Sequence, residues 1–302
     1  MKSAIAVCCV LAAAFLIAPH LYGNRSLLFS MMTFVVLAQG LNLLYGFTGY
    51  LPFGYVGFFG TGAYATSLLV LHTHVPVLGC VIIGGAGTAL VALILGPLLR
   101  LSGAYFSIAS LAASQILFNV VSNQDLSSIT GGPYGLKIDR VYDPSASYLT
   151  MLAILLIATA LSAYFRFSRF GMALRAMNQD PTSAAMAGIN VVRERLIVWL
   201  VSATIAGLAG GAYAWNLSVF YPDAVFTLQI SVFAIVFALF GGVGTVLGPI
   251  VGAILLYALY NAVGISAPQY FEFIYGLLIV LLVLFLPNGV MSLLTRRGVR
   301  VL

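Results

Sequence analysis

The chain has 302 residues, of which 62% are hydrophobic and only 7% are charged, and its formal net charge is +6. A soluble domain of this length cannot cover its surface with so few charged side chains. Continuous apolar runs of about 18 residues or more recur along the chain, and each can span a hydrocarbon core as a helix. The sequence therefore predicts an all-α, polytopic membrane helical bundle.

Ten apolar segments are predicted in chain order, and they form a single transmembrane domain over residues 1–302. They cover residues 4–22, 27–45, 55–71, 77–99, 103–121, 149–166, 196–217, 225–240, 247–263 and 270–287. The longest connections between them are 122–148 and 167–195. The first segment lacks a clear small-residue cleavage site, which favours a retained helix over a cleaved signal peptide.

The basic residues predict the orientation of this bundle. With ten spans, Lys2 and nine arginines fall on one side, whereas Arg25, Lys137 and Arg140 fall on the other. The positive-inside rule then places both termini and the 167–195 connection in the cytoplasm. The 122–148 connection is external. Because topology accounts for the net charge, no nucleic-acid partner is predicted.

Two glycine-rich regions do not resemble plain spanning helices. The first, residues 46–64, carries helix-breaking glycines and a proline, and the second, residues 240–256, carries a GxxxGxxxG ridge with an internal proline. Broken helices at membrane depth are tolerated where they are buried or line a wet cavity, and a pair of them indicates a transport site. Close packing of small residues is the alternative for both regions. The candidate path residues are Gly49, Tyr50, Pro52, Gly54, Gly57, Gly244 and Gly248.

Several kinds of chemistry are not predicted. Every acidic or basic residue can be placed in a loop or near a helix end, whereas ion-coupled carriers usually keep such a group within the membrane. An ion-coupled carrier is therefore the less favoured alternative. Neither Lys2 nor Lys137 follows a glycine, so the chain lacks the core of a P-loop for ATP. His72 and His74 have no third ligand nearby, so no metal site is predicted, and no catalytic set is evident.

The stretch NQDPTSAAMAGINVVRER, residues 178–195, predicts a short helix from 181 to 187. Aspartate is a favoured N-cap, proline suits the first helical position, and glycine suits the position after the C-cap. A helix this short is marginal in water, so its small apolar side chains should dock on the bundle or on a cytoplasmic partner. The candidate docking residues are Asp180, Pro181, Ala184, Ala185, Met186 and Gly188, with Arg169 and Arg175 available to steer an acidic surface.

Five motifs in order resemble permeases of ABC importers, in the branch that carries branched-chain amino acids. FGMALRAMNQDPTSAAMAGINVVRERL resembles the family's cytoplasmic coupling loop, and LNLLYGFTGYLPFGYVGFFGTGAY resembles its glycine-rich early segment. FGGVGTVLGPIVGA and YGLLIVLLVLFLPNGV resemble its later segments. TGGPYGL, residues 130–136, resembles the external motif of the LivM-type subunit. Two places depart from the family: residues 183–185 lack its usual glutamate, and residues 50–52 lack its usual serine.

The resemblance implies an ABC importer permease fold and a multi-pass location in a bacterial inner membrane. It also implies a LivH-type second permease subunit, a periplasmic binding protein and two cytoplasmic ATPase subunits that bind ATP and Mg. No cofactor is implied for this chain itself. The implied substrates are Leu, Ile and Val, moved by alternating access, and urea, amide or other amino-acid import is the alternative within the family.

Overall fold

The computed structural model describes residues 2–266, 273, 276, 277, 280 and 289–291. The helices are α1 Lys2–Leu21, α2 Arg25–Thr48, α3 Tyr55–His72, α4 Val77–Ile94, α5 Ala104–Val121, α6 Ser127–Thr130, α7 Pro144–Phe167, α8 Arg169–Gln179, α9 Pro181–Met186, α10 Val191–Leu217, α11 Pro222–Phe226, α12 Leu228–Gly241 and α13 Leu247–Ser266. Short 3-10 helices cover Gly96–Arg100, Gln124–Leu126, Gly132–Tyr134 and Asp139–Val141. Strand β1, Leu136–Lys137, pairs antiparallel with β2, Val219–Phe220.

Seven helical segments in the described part are long and apolar enough to cross a membrane. They are Arg25–Thr48, Val77–Ile94, Ala104–Val121, Pro144–Phe167, Val191–Leu217, Pro222–Gly241 and Leu247–Gly264. The apolar part of α1 is shorter, and glycine, tyrosine and threonine residues lower the hydropathy of α3. Most of the tenth predicted segment, 270–287, lies outside the described residues. The all-α membrane bundle is therefore confirmed, whereas the count of ten spans stays a prediction.

Several helix bounds differ from the predicted ones, and side-chain caps extend two of the helices. Asp143 accepts the N–H groups of Ser145 and Ala146 at 2.9 Å, so α7 begins five residues before the predicted 149. Asn190 accepts the N–H of Arg193 at 3.1 Å, so α10 begins at Val191 rather than 196. The predicted 77–99 segment is two elements, since α4 ends at 94 and a 3-10 helix follows.

Small residues bring α3 and α10 into backbone contact at the centre of the bundle. A Cβ atom on Gly62 would collide with the carbonyl oxygen of Gly207, and one on Gly210 would collide with that of Phe59. This is the close approach that small residues allow between helices in a membrane. The indole N–H of Trp199 in α10 donates to the carbonyl of Ala92 in α4 at 2.8 Å, which joins a third helix.

The two long connections lie at opposite ends of the bundle. Helix α7 runs directly from the 122–143 connection to α8. Helix α2 runs parallel to it, because it starts beside the beginning of α7 and ends at Gly49, which contacts Asn178 of α8. Helix α10 returns from α9 to the first end. We call the ends the loop end and the α8–α9 end.

Candidate coupling helices and membrane cavity

The 167–195 connection contains two helices, whereas the sequence predicted one. The additional helix, α8, is capped by the Ser168 hydroxyl, which accepts the N–H of Gly171 at 3.1 Å. Gly171, Leu174 and Met177 are buried, and this spacing of three residues places them on one face against the bundle. A serine followed by this apolar spacing was the available signal for α8.

The predicted N-cap of α9 is present at Asp180. Its carboxylate accepts the N–H of Thr182 at 2.9 Å and the hydroxyl of Ser183. The Ser183 hydroxyl, followed by the backbone N–H groups of Thr182 and Ser183, holds the pKa of Asp180 below its ordinary value, because these donors stabilise the charged form. Pro181 occupies the first helical position, as predicted.

The other end of α9 is closed by Gly188, which has a φ of 88°. The N–H of Ile189 donates to the carbonyl of Ala184 at 3.1 Å, and the N–H of Gly188 donates to that of Ala185 at 3.0 Å. These two bonds form a Schellman motif with the glycine in the left-handed position after the C-cap. The helix ends one residue earlier than predicted, because Ala187 is the C-cap.

Helix α9 contacts its own bundle through one residue and leaves the others on the surface. Ala184 is only 4% exposed and joins the hydrophobic core. Pro181, Ala185 and Gly188 are exposed, and Met186 is 79% exposed. Docking on the bundle therefore accounts for Ala184 alone. The remaining small apolar surface is free in this chain to contact a partner, and that role stays a prediction.

The two predicted arginines differ in their surroundings. Arg169 is exposed at the start of α8. Arg175 is half-buried and donates to the backbone carbonyl of Arg166, at the end of α7, at 3.3 Å. Arg166 in turn donates to the carbonyl of Gly244. Arg175 is thus partly used to fix α8 on α7, and Arg169 is the one fully on the surface.

The first glycine-rich region separates α2 from α3, as its composition predicted. Gly49 ends α2 with a φ of 75° and lies against Asn178. The ring of Tyr50 packs edge-on against Phe106, with centroids 4.9 Å apart, and the guanidinium of Arg195 lies 4.2 Å from the centre of the Tyr50 ring. These contacts join the region to α5, α8 and α10, near the α8–α9 end.

The rest of this region packs tightly against α5. A Cβ atom on Gly54 would collide with the backbone carbonyl of Ser110, and one on Gly57 would lie 3.1 Å from Ser114. Pro52 is also buried. The glycines therefore allow close helix contact in this state of the bundle. Their role in a translocation path stays a prediction.

The second glycine-rich region forms the turn between α12 and α13. Gly244 has a φ of 76°, which favours glycine, and its N–H donates to the Oδ1 atom of Asn42 at 2.7 Å. A Cβ atom on Gly248 would collide with the carbonyl of Gly242. The ridge predicted from GxxxGxxxG thus brings α13 onto the end of α12.

A cavity of about 150 Å³ lies between α2, α3, α10, α12 and α13. Its hydroxyl and amide groups come from Ser30, Thr33, Tyr213, Gln229, Tyr257 and Tyr260, and its apolar side chains come from Phe34, Leu37, Phe59, Ile230 and Phe233. Tyr257 lies beside Ser30, and Tyr260 lies beside Gln229, so the polar groups of the lining are grouped in pairs. The lining combines aromatic surface with uncharged polar groups, which suits a small and mostly apolar ligand. We call it the inner cavity.

A family model described as the permease component of the branched-chain amino acid transport system matches residues 25–283. The chain belongs to this family. The match covers α2 through α13, so it includes both the α8–α9 pair and the inner cavity.

Permease proteins named LivM and permease proteins named LivH are both similar to this chain. The high-affinity branched-chain amino acid transport system permease protein LivM of Escherichia coli (strain K12) is 29% identical over 294 residues, 87% of this chain and 68% of LivM. The corresponding LivH of Salmonella typhimurium is 25% identical over 287 residues, 86% of this chain and 91% of LivH. A probable LivH of Methanocaldococcus jannaschii is 28% identical over 279 residues, 85% and 87% of the two chains. No solved structure matches the chain. The resemblance to LivM-type permeases is therefore confirmed.

Proposed function

We propose that this chain is the LivM-type permease subunit of an ATP-driven bacterial importer that moves Leu, Ile and Val across the inner membrane. The inner cavity is the observation that carries this proposal. A cavity of about 150 Å³ can hold a six-carbon ring, so the branched side chain of leucine or isoleucine fits. Its aromatic rings suit that side chain, and its hydroxyl groups offer hydrogen bonds to the amino-acid head group.

We propose that ATP hydrolysis takes place in two separate ATPase subunits, which bind ATP and Mg, and reaches this chain through α9. The exposed face of α9 supports this role, since Ala185 and Met186 offer apolar surface that its own bundle leaves uncovered. Arg169 lies on the surface at the start of α8 and would favour an acidic partner surface. Movement of α9 would pass to α8 and then through Arg166 to the turn between α12 and α13.

The remaining partners of the proposal are a LivH-type second permease subunit and a periplasmic binding protein that delivers the substrate. Relatives named LivM and LivH both resemble this chain, which supports a pair of related permeases. The α8–α9 end and both termini would face the cytoplasm. Alternation between outward- and inward-facing states would then move the substrate.

Leucine uptake by the reconstituted importer tests this function. The permease, purified with its ATPase and second permease subunits, should take up leucine into proteoliposomes only with ATP inside and liganded binding protein outside. Ser30→Phe, which fills the inner cavity, should abolish uptake but leave the complex assembled. Ser128→Phe, on the exposed surface, should leave both uptake and assembly unchanged. Uptake driven by a sodium or proton gradient without ATPase subunits would instead identify an ion-coupled carrier.

Thiol labelling tests the orientation. In a background without the three native cysteines, a cysteine at Ser127 should react with an impermeant reagent on intact cells, and a cysteine at Thr182 in α9 should react only after lysis. The opposite pattern would invert the proposed topology.

A further inference from the structure

A second, larger cavity of about 500 Å³ opens at the loop end of the bundle. It lies between the starts of α2 and α7, the end of α10 and the 3-10 helix Asp139–Val141. Its charged lining residues are Arg25 and Asp139. Phe29, Tyr142 and Tyr148 add aromatic surface. We call it the outer cavity, and its volume lies in the range of ordinary small-molecule sites.

Backbone anchors on both sides fix the position of Asp139. On one side, the N–H of Ile138 donates to the carbonyl of Ser218 at 2.7 Å, next to the β1–β2 pair. On the other, the indole N–H of Trp215 donates to the carbonyl of Val141 at 2.8 Å. Asp139 is therefore held at the end of α10 by the fold itself, although it belongs to a surface connection.

The TGGPYGL motif explains how the chain reaches this position. Gly135 has a φ of 74°, and a Cβ atom there would collide with the carbonyl of Phe220. Glycine thus allows the backbone to lie directly on β2 before Leu136 and Lys137 pair with it. The motif forms the turn that places Asp139 at the opening of the cavity.

Helix stability does not account for Arg25 on the other side of the cavity. It is the first residue of α2, and the Asn24 side chain caps that helix by accepting the N–H of Leu27 at 3.1 Å. A cation at a helix N-terminus opposes the helix dipole, and basic residues are depleted outside the membrane. Both effects disfavour arginine here.

The two charged residues of the outer cavity do not form an ion pair with each other. In the described part of the chain, the ion pair formed by Asp139 is with Lys137, at 3.2 Å, and both side chains are more than half exposed. Exposed pairs of this kind contribute little and exchange readily. The Arg25 guanidinium and the Asp139 carboxylate therefore offer opposite charges to whatever occupies the cavity.

We propose that the outer cavity binds the zwitterionic head group of the amino acid before it passes into the bundle. Arg25 binds the α-carboxylate, because a guanidinium matches a carboxylate with paired N–H donors. Asp139 binds the α-ammonium and gives up its exposed contact with Lys137. Phe29, Tyr142 and Tyr148 contact the apolar side chain. The assignment rests on the proposed function, since it takes the cargo to be an amino acid.

Two aromatic residues, one from each cavity, lie close together. Phe29 lines the outer cavity, and Tyr213 lines the inner cavity. Their rings are stacked with centroids 6.2 Å apart, and Phe29 is only 2% exposed. We therefore expect the outer site to receive a delivered amino acid before it enters the inner cavity.

The test measures leucine transported per ATP hydrolysed in proteoliposomes that contain the full importer and saturating liganded binding protein. Arg25→Gln and Asp139→Asn should each lower this ratio about tenfold, the loss expected for one charge-assisted hydrogen bond. Arg25→Lys should recover part of it, because the charge is kept. Arg140→Gln removes a neighbouring exposed charge that does not line the cavity and should match the wild type.

Three results would overturn the assignment. Unchanged transport per ATP in Arg25→Gln and Asp139→Asn would show that neither charge handles the substrate. An equal loss in Arg140→Gln would indicate a general charge effect. A parallel fall in uptake and in binding-protein-stimulated ATP hydrolysis would mean that these residues dock the binding protein. Failure of the wild-type importer to transport leucine would instead refute the proposed function itself.

Discussion

The Asn42 side chain holds the turn between α12 and α13 through Gly244, whose N–H donates to Asn42 Oδ1 at 2.7 Å. The Asn42 amide group also donates to the carbonyl of Thr245 at 2.9 Å. Arg166 reaches the same turn by donating to the carbonyl of Gly244. Two helices that line the inner cavity are thus tied to α2 and to the end of α7, where α8 begins. This turn is a structural link between the α8–α9 pair and the cavity.

Asn42→Leu should destabilise this link. The substitution leaves the N–H of Gly244 and the carbonyl of Thr245 without their partner, and an unsatisfied buried polar group costs about 1–3 kcal/mol. We expect a loss of about 2 kcal/mol and a fall of about 5 °C in the thermal unfolding midpoint of the detergent-purified protein.

Thr159→Val is the matched control for Asn42→Leu. The Thr159 hydroxyl donates to the carbonyl of Leu155 within its own helix, so its loss leaves no backbone group unpaired. Its effect should stay below about 1 kcal/mol. Equal midpoints for Asn42→Leu and the wild type would show that the turn does not depend on this side chain.

Gly171→Ala should detach α8 from α7. A Cβ atom at this position would collide with the carbonyl oxygen of Phe165, which is backbone and cannot rotate away. We expect a loss of about 3 kcal/mol from overpacking, seen as a lower unfolding midpoint and faster proteolysis within 167–190. At Gly87 in α4, the nearest atom to an added Cβ is the Ala65 Cβ, 4.0 Å away.

Gly87→Ala therefore tests whether contact, rather than loss of a glycine, causes the effect. Alanine in a helix interior is favoured over glycine by about 0.5–1 kcal/mol, so this variant should match or exceed the wild type. If Gly171→Ala were as stable as Gly87→Ala, the α7–α8 contact would be looser than the structure indicates.

The two helix caps of α9 were predictable because they are local. Each of these caps involves backbone atoms within about one helical turn of the capping residue. Asp180, Pro181 and Gly188 all occupy their predicted positions. Helix α8 was missed because its apolar stripe is short and lies beside exposed polar residues. Its burial depends on the approach of Gly171 to α7, which no local pattern reports.

The inner cavity could not be predicted for a different reason. Its lining comes from five helices that are distant in sequence, and residues such as Ser30, Gln229 and Tyr257 are ordinary members of apolar helices when read singly. The sequence instead pointed to glycine-rich residues such as Gly54, which the structure packs against α5. Glycine indicates where helices touch, whereas a cavity forms where they do not touch. The position of the cavity therefore cannot be predicted from the positions of the glycines.

The N-cap of α9 should titrate at unusually low pH. Donors from Ser183 and Thr182 lower the pKa of Asp180 below its ordinary value, so the charged cap stabilises α9 above the ordinary aspartate pKa. That contribution is lost only as the pH falls through the lowered value. Ser183→Ala removes the largest cause and should raise the pKa of Asp180.

Carbon NMR of the aspartate carboxyl groups can follow this titration in the full-length protein, with Asp180→Asn to assign the signal. Thr182→Ser is the control, because it keeps the backbone N–H that bonds to Asp180. The same pKa in Ser183→Ala and in the wild type would contradict the hydrogen-bonded cap.

Adjacent alanines in α9 allow the strongest test of coupling. Ala185 is exposed, whereas Ala184 is 4% exposed and packs on the core. Ala185→Asp should leave the permease folded but bury an unpaired carboxylate in the ATPase contact, at a cost of several kcal/mol. At about 1.4 kcal/mol per decade, this is on the order of a thousandfold loss of ATPase affinity.

Ala184→Asp should act differently, because its carboxylate would be buried in the permease itself. We expect it to lower the unfolding midpoint even without ATPase subunits. Gly188→Val strains only the left-handed position after the helix, by about 1–2 kcal/mol, and should weaken ATPase binding less than Ala185→Asp. Ser128→Asp, at the loop end, should change neither property. The measurements are ATPase pull-down and leucine uptake at matched membrane abundance. If Ala185→Asp retained the ATPase and transported normally, α9 would be a surface helix of its own bundle, because a partner groove could not accept that charge without cost.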